Sequence, residues 1–409
     1  MQPAQVVRLC VIVTCLAAVP VPAAAQTPDT QALREEIDQL RSEFETLRRQ
    51  YAARLSALES RLASLAVEGG TAAGVPPQPA PQATSASGQS VFNPDTSVIA
   101  NFETAAGRNA LSDEPSLSLS EVEVGFQSVV DPYARADIFF AVTPEGLEVE
   151  EGYVTFTALP AGLLLKAGKM RAQFGKVNTM HTHILPWADR PLVSQNLIGG
   201  EEGLADAGMS VSKLIPNGFM FLDAIGEVYR GESNVFGSDR RSRLNYVGRL
   251  RGYRDLTEGT NLDLGVSYAN GPSVVFADRT RQLTGVDVTF RYRPLRRAIY
   301  RQFIGRTELI WSRQDRPVGP TARAFGVFGS ADYQFARRWF VGVRGDRSGR
   351  VLDGDLRDSG VSLGLTFRPS EFSLVRGQYR RTRYAEAVTA NEFLFQLNFS
   401  IGAHGAHPF

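Results

Sequence analysis

From residue 96 onward the chain alternates apolar and polar side chains in short runs. Val286, Val288, Phe290 and Tyr292 interleave with Asp287, Thr289, Arg291 and Arg293. Val361, Leu363, Leu365 and Phe367 interleave with Ser362, Gly364, Thr366 and Arg368, and the last run sets Phe393, Phe395, Leu397, Phe399 and Ile401 against polar or mixed neighbours. A period of two is that of a strand whose faces meet different surroundings. Sixteen such runs are predicted, at 96–106, 116–130, 132–143, 149–158, 162–172, 206–214, 217–230, 242–254, 260–270, 283–294, 302–313, 321–335, 338–347, 358–368, 371–382 and 391–401.

The connections alternate in length. Tight joins at Asp131-Pro132, Leu159–Gly162, Pro216-Asn217-Gly218, Ala336–Arg338 and Pro369-Ser370 are separated by longer polar segments such as 231–241, 271–282, 348–357 and 383–390. An even number of strands with short turns at one end and long loops at the other is the pattern of a transmembrane β-barrel. In lipid every backbone group must be paired internally, so a spanning sheet has to close. A soluble β-sandwich would alternate in the same way. Two features favour the membrane: the runs exceed the usual 5–6 residues of soluble strands, and one face is charged while the other is almost uncharged. The expected fold is an all-β transmembrane barrel of about 16 antiparallel strands spanning 96–409.

Ahead of the barrel the period changes. Leu33, Ile37, Leu40, Phe44, Leu47, Tyr51, Leu55, Leu58, Leu62 and Leu65 recur in steps of three and four, a heptad seam with one stutter. Residues 26–68 are therefore expected to form an α-helical coiled coil that oligomerises. An amphipathic helix packed on its own chain would show a similar stripe. Residues 69–95 are Pro-, Ala-, Gly- and Ser-rich and read as a linker. Residues 1–25, with Arg8, an apolar stretch and Ala23-Ala24-Ala25, read as a signal peptide. Both cysteines, Cys10 and Cys15, fall within it, so the exported chain offers no thiol for catalysis or metal binding.

Composition sharpens this picture. A mean hydropathy of −0.15 over 409 residues leaves no room for a bundle of apolar helices, but suits a barrel in which half the strand residues face water. The formal net charge of +1 gives no pull toward nucleic acid. It also conceals a separation: residues 97–240 hold 10 Lys+Arg and 19 Asp+Glu, whereas 241–409 hold 27 and 15, the 27 all being arginine. Parity sends Arg249, Arg251, Arg291, Arg293, Arg306, Arg344, Arg368, Arg376 and Arg380 to the lumen, and Glu121, Glu123 and Asp137 to it from the early strands. Such arginines suit anionic solutes. They equally suit pairing with lumen acids.

One connection, 173–205, is more than twice as long as most others, and connections of that length are usually functional. The stretch from Gly168 to Pro216, GKMRAQFGKVNTMHTHILPWADRPLVSQNLIGGEEGLADAGMSVSKLIP, with its Gly-Lys-x-x-x-x-Phe-Gly and Asp-Arg-Pro-Leu pieces, resembles the phosphate-selective porin O/P family of Gram-negative outer membranes. The order of signal, coiled coil, linker and barrel matches that group as well. The resemblance implies a homotrimer of sixteen-stranded barrels, a third loop folded inward to narrow the pore, and anion-biased passage. The basic wall here is all arginine, where the family's clusters include lysine. With the loop folded inward, Glu201, Glu202 and Asp206 are expected to face the arginine wall and to set a field across a constriction.

The four histidines form two close pairs, His181 with His183 and His404 with His407, a spacing that suits metal ligation. Hydrogen bonding within an inward loop is the competing role for the first pair. No nucleophile–base pair or phosphate-cradling motif is present in the sequence, so neither an enzyme nor a cofactor is expected. The expected function is a porin for passive diffusion of small hydrophilic, anionic solutes. Two alternatives stand beside it: a zinc-linked uptake channel using the histidine pairs, and a structural tether acting through the coiled coil. The expected partners are outer-membrane lipid, the solutes, sister subunits and, from the terminal Phe409, the barrel assembly machinery.

Overall fold

The computed structural model describes residues 94–402, except 113, 114, 145 and 277. The signal peptide, coiled coil and linker readings, His404, His407 and Phe409 lie outside the described residues.

The described chain forms sixteen strands: β1 (Asp95–Arg108), β2 (Leu117–Asp131), β3 (Ala134–Thr143), β4 (Gly146–Phe156), β5 (Leu163–Arg171), β6 (Ala205–Ile215), β7 (Phe221–Tyr229), β8 (Asn245–Thr257), β9 (Thr260–Pro272), β10 (Thr280–Tyr292), β11 (Gln302–Gln314), β12 (Ala322–Ala336), β13 (Trp339–Gly349), β14 (Arg357–Ser370), β15 (Ser373–Arg383) and β16 (Thr389–Gly402). Each pairs antiparallel with its chain neighbours. The sheet closes through β1 and β16, in register from Ser97↔Gly402 to Arg108↔Asn391. Closure leaves no edge, so every ladder has a partner strand on both sides.

Every sequence-predicted strand lies within one of these elements or overlaps it closely, because alternation carries the signal and closure only requires that it repeat. Two connections depart from the expected asymmetry. Only residues 144 and 145 separate β3 from β4 at the long-loop end, and residues 293–301 make an extended connection at the short-turn end.

The outer face bears the apolar side chains. Leu250, Leu264, Val266, Val343, Val361, Leu363 and Leu365 are exposed there. Aromatic residues flank them: Tyr246, Tyr268, Trp311, Phe325 and Phe393 toward the long-loop end, and Tyr133, Phe156, Phe221, Tyr292 and Trp339 toward the short-turn end. Some stack in cross-strand pairs, as Trp339 does with Phe367 at 4.6 Å and Trp311 with Phe325 at 5.2 Å. An apolar belt between two aromatic girdles matches a hydrocarbon slab with its two interfaces. Among the described residues no helix is long and apolar enough to cross a membrane.

A β-bulge resolves a conflict in β4. Strict alternation would turn one of the consecutive Glu150 and Glu151 toward lipid. Instead Phe139 pairs with Glu151 and Phe140 with Val149, leaving Glu150 as an extra residue. The bulge lets both carboxylates point inward, where each is buried.

Candidate functional site

The lumen is occupied by the connection between β5 and β6. It contains two single 3₁₀ turns (Val177–Thr179 and Thr182–Ile184) and a short helix, α1 (Leu192–Ile198), ending on left-handed Gly199 (φ 93°). Phe174, Val193 and Leu197 are wholly buried. They join lumen-facing Val247, Ala269, Leu283, Ile310, Ala324 and Phe328 in an apolar cluster inside the barrel. The lumen is thus not polar throughout. Beneath this loop the wall of β8–β12 contributes an apolar patch among its polar residues, because the loop's own buried apolar face needs a surface that excludes water.

The loop begins at a glycine turn. Gly175 has φ +60°, and a Cβ there would overlap Glu308 Oε1. Its N–H donates to Ser267 Oγ at 3.1 Å, and its carbonyl accepts from Arg249. Glu308 in turn accepts from the backbone amides of Lys176 and Val177. Lys176 pairs with Asp263 at 2.8 Å. Glycine is required here both for the backbone angle and for the close approach.

The Asp-Arg-Pro-Leu piece is the far anchor. Asp189 Oδ2 accepts from Arg344 at 2.8 Å and from Arg380 at 3.0 Å, and Gln378 donates to its Oδ1. Burial alone would raise the Asp189 carboxyl, but the two guanidinium groups outweigh it and push it down to about 2. Arg190 turns back and donates to the carbonyls of Val177 and Met180. Without a carboxylate on it, burial pushes its guanidinium down to about 9. Pro191 precedes the first turn of α1, and the Leu192 N–H donates to Asp346 at 3.2 Å. Trp187 stacks edge-on against Phe328 at 5.2 Å, with the Arg344 guanidinium over its ring at 5.1 Å. Arg281 donates to the carbonyl of Leu197, capping the helix end.

The predicted arginines therefore fall into groups. Arg249, Arg251, Arg306, Arg344 and Arg380 face the lumen but are neutralised, by Asp287, Asp263, Asp332, Asp189 with Asp346, and Asp189 with Glu392. Arg376 is buried on Thr366 and Gln396. Arg368 lies over the Phe340 ring at 5.2 Å. Arg291 is lumen-facing and half-buried near the end of β10. Arg291, Arg306, Arg368 and Arg376 cluster toward the short-turn end, with Asp332 the acid in their midst. Arg293 lies beyond the end of β10 and is exposed, so it is not a wall residue of that strand.

The loop acids are also placed differently from expectation. Glu201, Glu202 and Asp206 do not meet the arginine wall. They line a cavity of about 620 Å³ at the long-loop end, together with Glu103, Glu121, Glu148, Glu150 and Glu232. Asp206 is on β6 rather than in the loop, and accepts from the amides of Gly231 and Glu232 at 2.6 and 2.8 Å. The carbonyls of Glu201 and Glu202 accept from Arg171. The loop acid that does meet the arginine wall is Asp189. The alternation rule reports on strands, and a residue within a loop carries no such parity.

His181 and His183 are both buried, 3% and 7% exposed, against the β2–β4 wall. His181 Nδ1 lies 2.8 Å from Glu123 Oε2 and 3.0 Å from Glu150 Oε2, while its Nε2 lies 2.8 Å from Glu151 Oε2. His183 Nδ1 is 3.6 Å from the same Glu123 oxygen. Burial works against a charged His181, but the three carboxylates prevail and hold the imidazolium well above the usual histidine range. Asp137 also faces inward, accepting from Gln127 at 2.9 Å.

Comparison with known proteins supports this architecture. No protein-family model matches the chain. An uncharacterized protein of Aquifex aeolicus (strain VF5) is 31% identical over 390 residues, covering 78% of this chain and 81% of that protein. The chain belongs to the family of this Aquifex protein. Among solved structures, the anion-selective porin from Comamonas acidovorans superposes with a TM-score of 0.53 at 10% identity, covering 75% of this chain and 99% of the porin. OprB of Pseudomonas putida gives 0.52 at 10% identity, covering 76% and 94%. A Vibrio cholerae outer membrane protein, OmpT lacking its loop L8, gives 0.53 at 11% identity, covering 75% and 99%. At such identities these likenesses establish the barrel fold.

Proposed function

We propose that this protein is an outer-membrane porin through which small hydrophilic solutes, anions in preference, diffuse passively past the crossing loop. The observation that carries this reading is the pairing of an apolar, aromatic-flanked outer belt with interior cavities that polar and charged side chains help to line on either side of an anchored loop. Cavities of about 510 and 300 Å³ lie on the short-turn side of the loop and one of about 620 Å³ on the other. The preference for anions rests on the cluster of Arg291, Arg306, Arg368 and Arg376 around one acid. Phosphate is the narrower anion suggested by the sequence resemblance, and guanidinium groups suit its oxygens.

Trimeric assembly is part of the proposal. A trimer form is described for the in-vitro folded Vibrio cholerae OmpT, of similar fold at a TM-score of 0.51. The other readings are less favoured. His181 and His183 are buried between the loop that carries them and the carboxylates of the β2–β4 wall, which suits an anchor better than a relay of ligands along a transport path. The tether reading draws on the coiled coil outside the described residues.

Planar-bilayer recording of the purified protein tests the function. Stepwise conductance closing in three equal steps, with reversal potentials favouring chloride over potassium, is expected. A protein that inserts without conducting, and does not swell liposomes in sugar solutions, would be a tether and not a porin.

A further inference from the structure

The two loop histidines and the acids of β2 and β4 converge on one point. His181 Nδ1 and His183 Nδ1 both face Glu123 Oε2, at 2.8 Å and 3.6 Å, and His181 Nδ1 also lies 3.0 Å from Glu150 Oε2. Donors held about 2.0–2.1 Å from a tetrahedral ion are about 3.3 Å from one another, and the observed distances bracket that edge. Glu123, His181 and His183 each present a ligand atom within 4.8 Å of the others, and all three residues are buried.

Two further observations point to an ion rather than to a hydrogen-bond network alone. Glu123 is 1% exposed, and its Oε1 accepts no hydrogen bond, so one oxygen of a buried carboxylate is left for a ligand beyond the protein's own donors. The surroundings also supply what a metal centre needs around its ligands. Glu151 takes the N–H of His181 Nε2, which orients the ring so that Nδ1 faces Glu123. Arg171 holds the other oxygen of Glu150, and Phe139 packs edge-on against the His181 ring at 5.6 Å.

We propose that His181, His183 and Glu123, with a fourth position left to water or to Glu150, form a buried site for a divalent ion of the zinc class, which fastens the crossing loop to the β2–β4 wall. Two imidazoles with a carboxylate select zinc or a similar transition metal over calcium or magnesium, which take oxygen ligands almost alone. On binding, the proton of His181 Nδ1 leaves to solvent and the nitrogen lone pair bonds the ion. The site is resident and structural, so it is independent of which solute the channel passes.

The test uses the full-length folded protein in detergent, stripped with a chelator and then titrated with zinc or with cobalt. One zinc per chain is expected, together with the intense visible bands of tetrahedral cobalt. His183→Gln, checked for folding by its heat-modifiable gel mobility, is expected to weaken zinc binding at least tenfold. His404→Gln/His407→Gln is expected to leave it unchanged. Several results would overturn the site: no zinc in the folded wild-type protein, cobalt spectra without tetrahedral bands, or zinc retained by His183→Gln but lost with the C-terminal pair. The cobalt spectrum decides the matter on wild-type protein if His183→Gln does not fold.

Discussion

At the scale of single residues, the lumen is a place where charges must find partners. Asp189 shows how strongly. It meets Arg344 and Arg380 within 3.0 Å, and breaking a buried pair of this kind costs about 3–5 kcal/mol because the remaining charge is stranded. Asp189→Asn is therefore expected to release the loop's far anchor, raising open-channel noise and mean conductance at neutral pH. The pH dependence has a definite sign. A carboxyl pushed down to about 2 from an ordinary 3.8 contributes stability that is fully present above about pH 4 and is lost as pH falls toward 2. Conductance of the wild type should thus hold steady from pH 7 to pH 4 and change only below that. Opening at pH 5 to 6 would mean that another group, not Asp189, fastens the loop.

At the scale of elements, what was readable and what was not follows from the origin of each signal. Strands such as β10 and β14 were legible because alternate side chains meet lipid and lumen, and each residue type reports its own environment. The crossing loop was recognisable as a long insertion, but its contacts were not, since they join residues far apart in the chain. Asp189 with Arg344 and Arg380, and Asn398 with the His183 carbonyl, are cases of this kind. The charged partners Asp263, Asp287 and Asp332 stood on the predicted lumen faces, and neighbouring-strand registers were needed to pair them with arginines. The bulge at Glu150 was hinted at only by two adjacent glutamates in a strand. The loop shares one apolar core with the barrel wall. Leu197 is wholly buried in that core, and Leu197→Ala should cost about 2–5 kcal/mol of loop docking while leaving the strand ladders intact. Limited proteolysis should then cut within 173–205, while the barrel keeps its heat-modifiable mobility on gels. Loss of the barrel itself would show that loop and wall fold as one unit.

At the scale of the whole molecule, the near-zero net charge conceals local patches of each sign. The long-loop cavity is rich in acids, and the short-turn end holds Arg291, Arg306, Arg368 and Arg376 around Asp332. Selectivity depends on net field, and an arginine neutralised by an adjacent carboxylate contributes little of it. Arg249 and Arg344, each held by acids within 3.0 Å, should therefore matter for the loop and not for ion choice. Arg291 and Arg368 should carry the preference. One unpaired charge at about 4 Å in water is worth about 1 kcal/mol, roughly a fivefold bias, and salt screens it over about 10 Å at 0.1 M. Arg291→Gln/Arg368→Gln is accordingly expected to lower the chloride-to-potassium permeability ratio several-fold in 0.1 M KCl and much less in 1 M. Arg249→Gln should leave that ratio near wild type while loosening the loop. If the double variant keeps the wild-type reversal potential in low salt, the arginines are wall supports and the channel is indifferent to charge. If Arg249→Gln shifts it instead, the selective field lies at the loop's near anchor, and the short-turn cluster only receives ions already chosen.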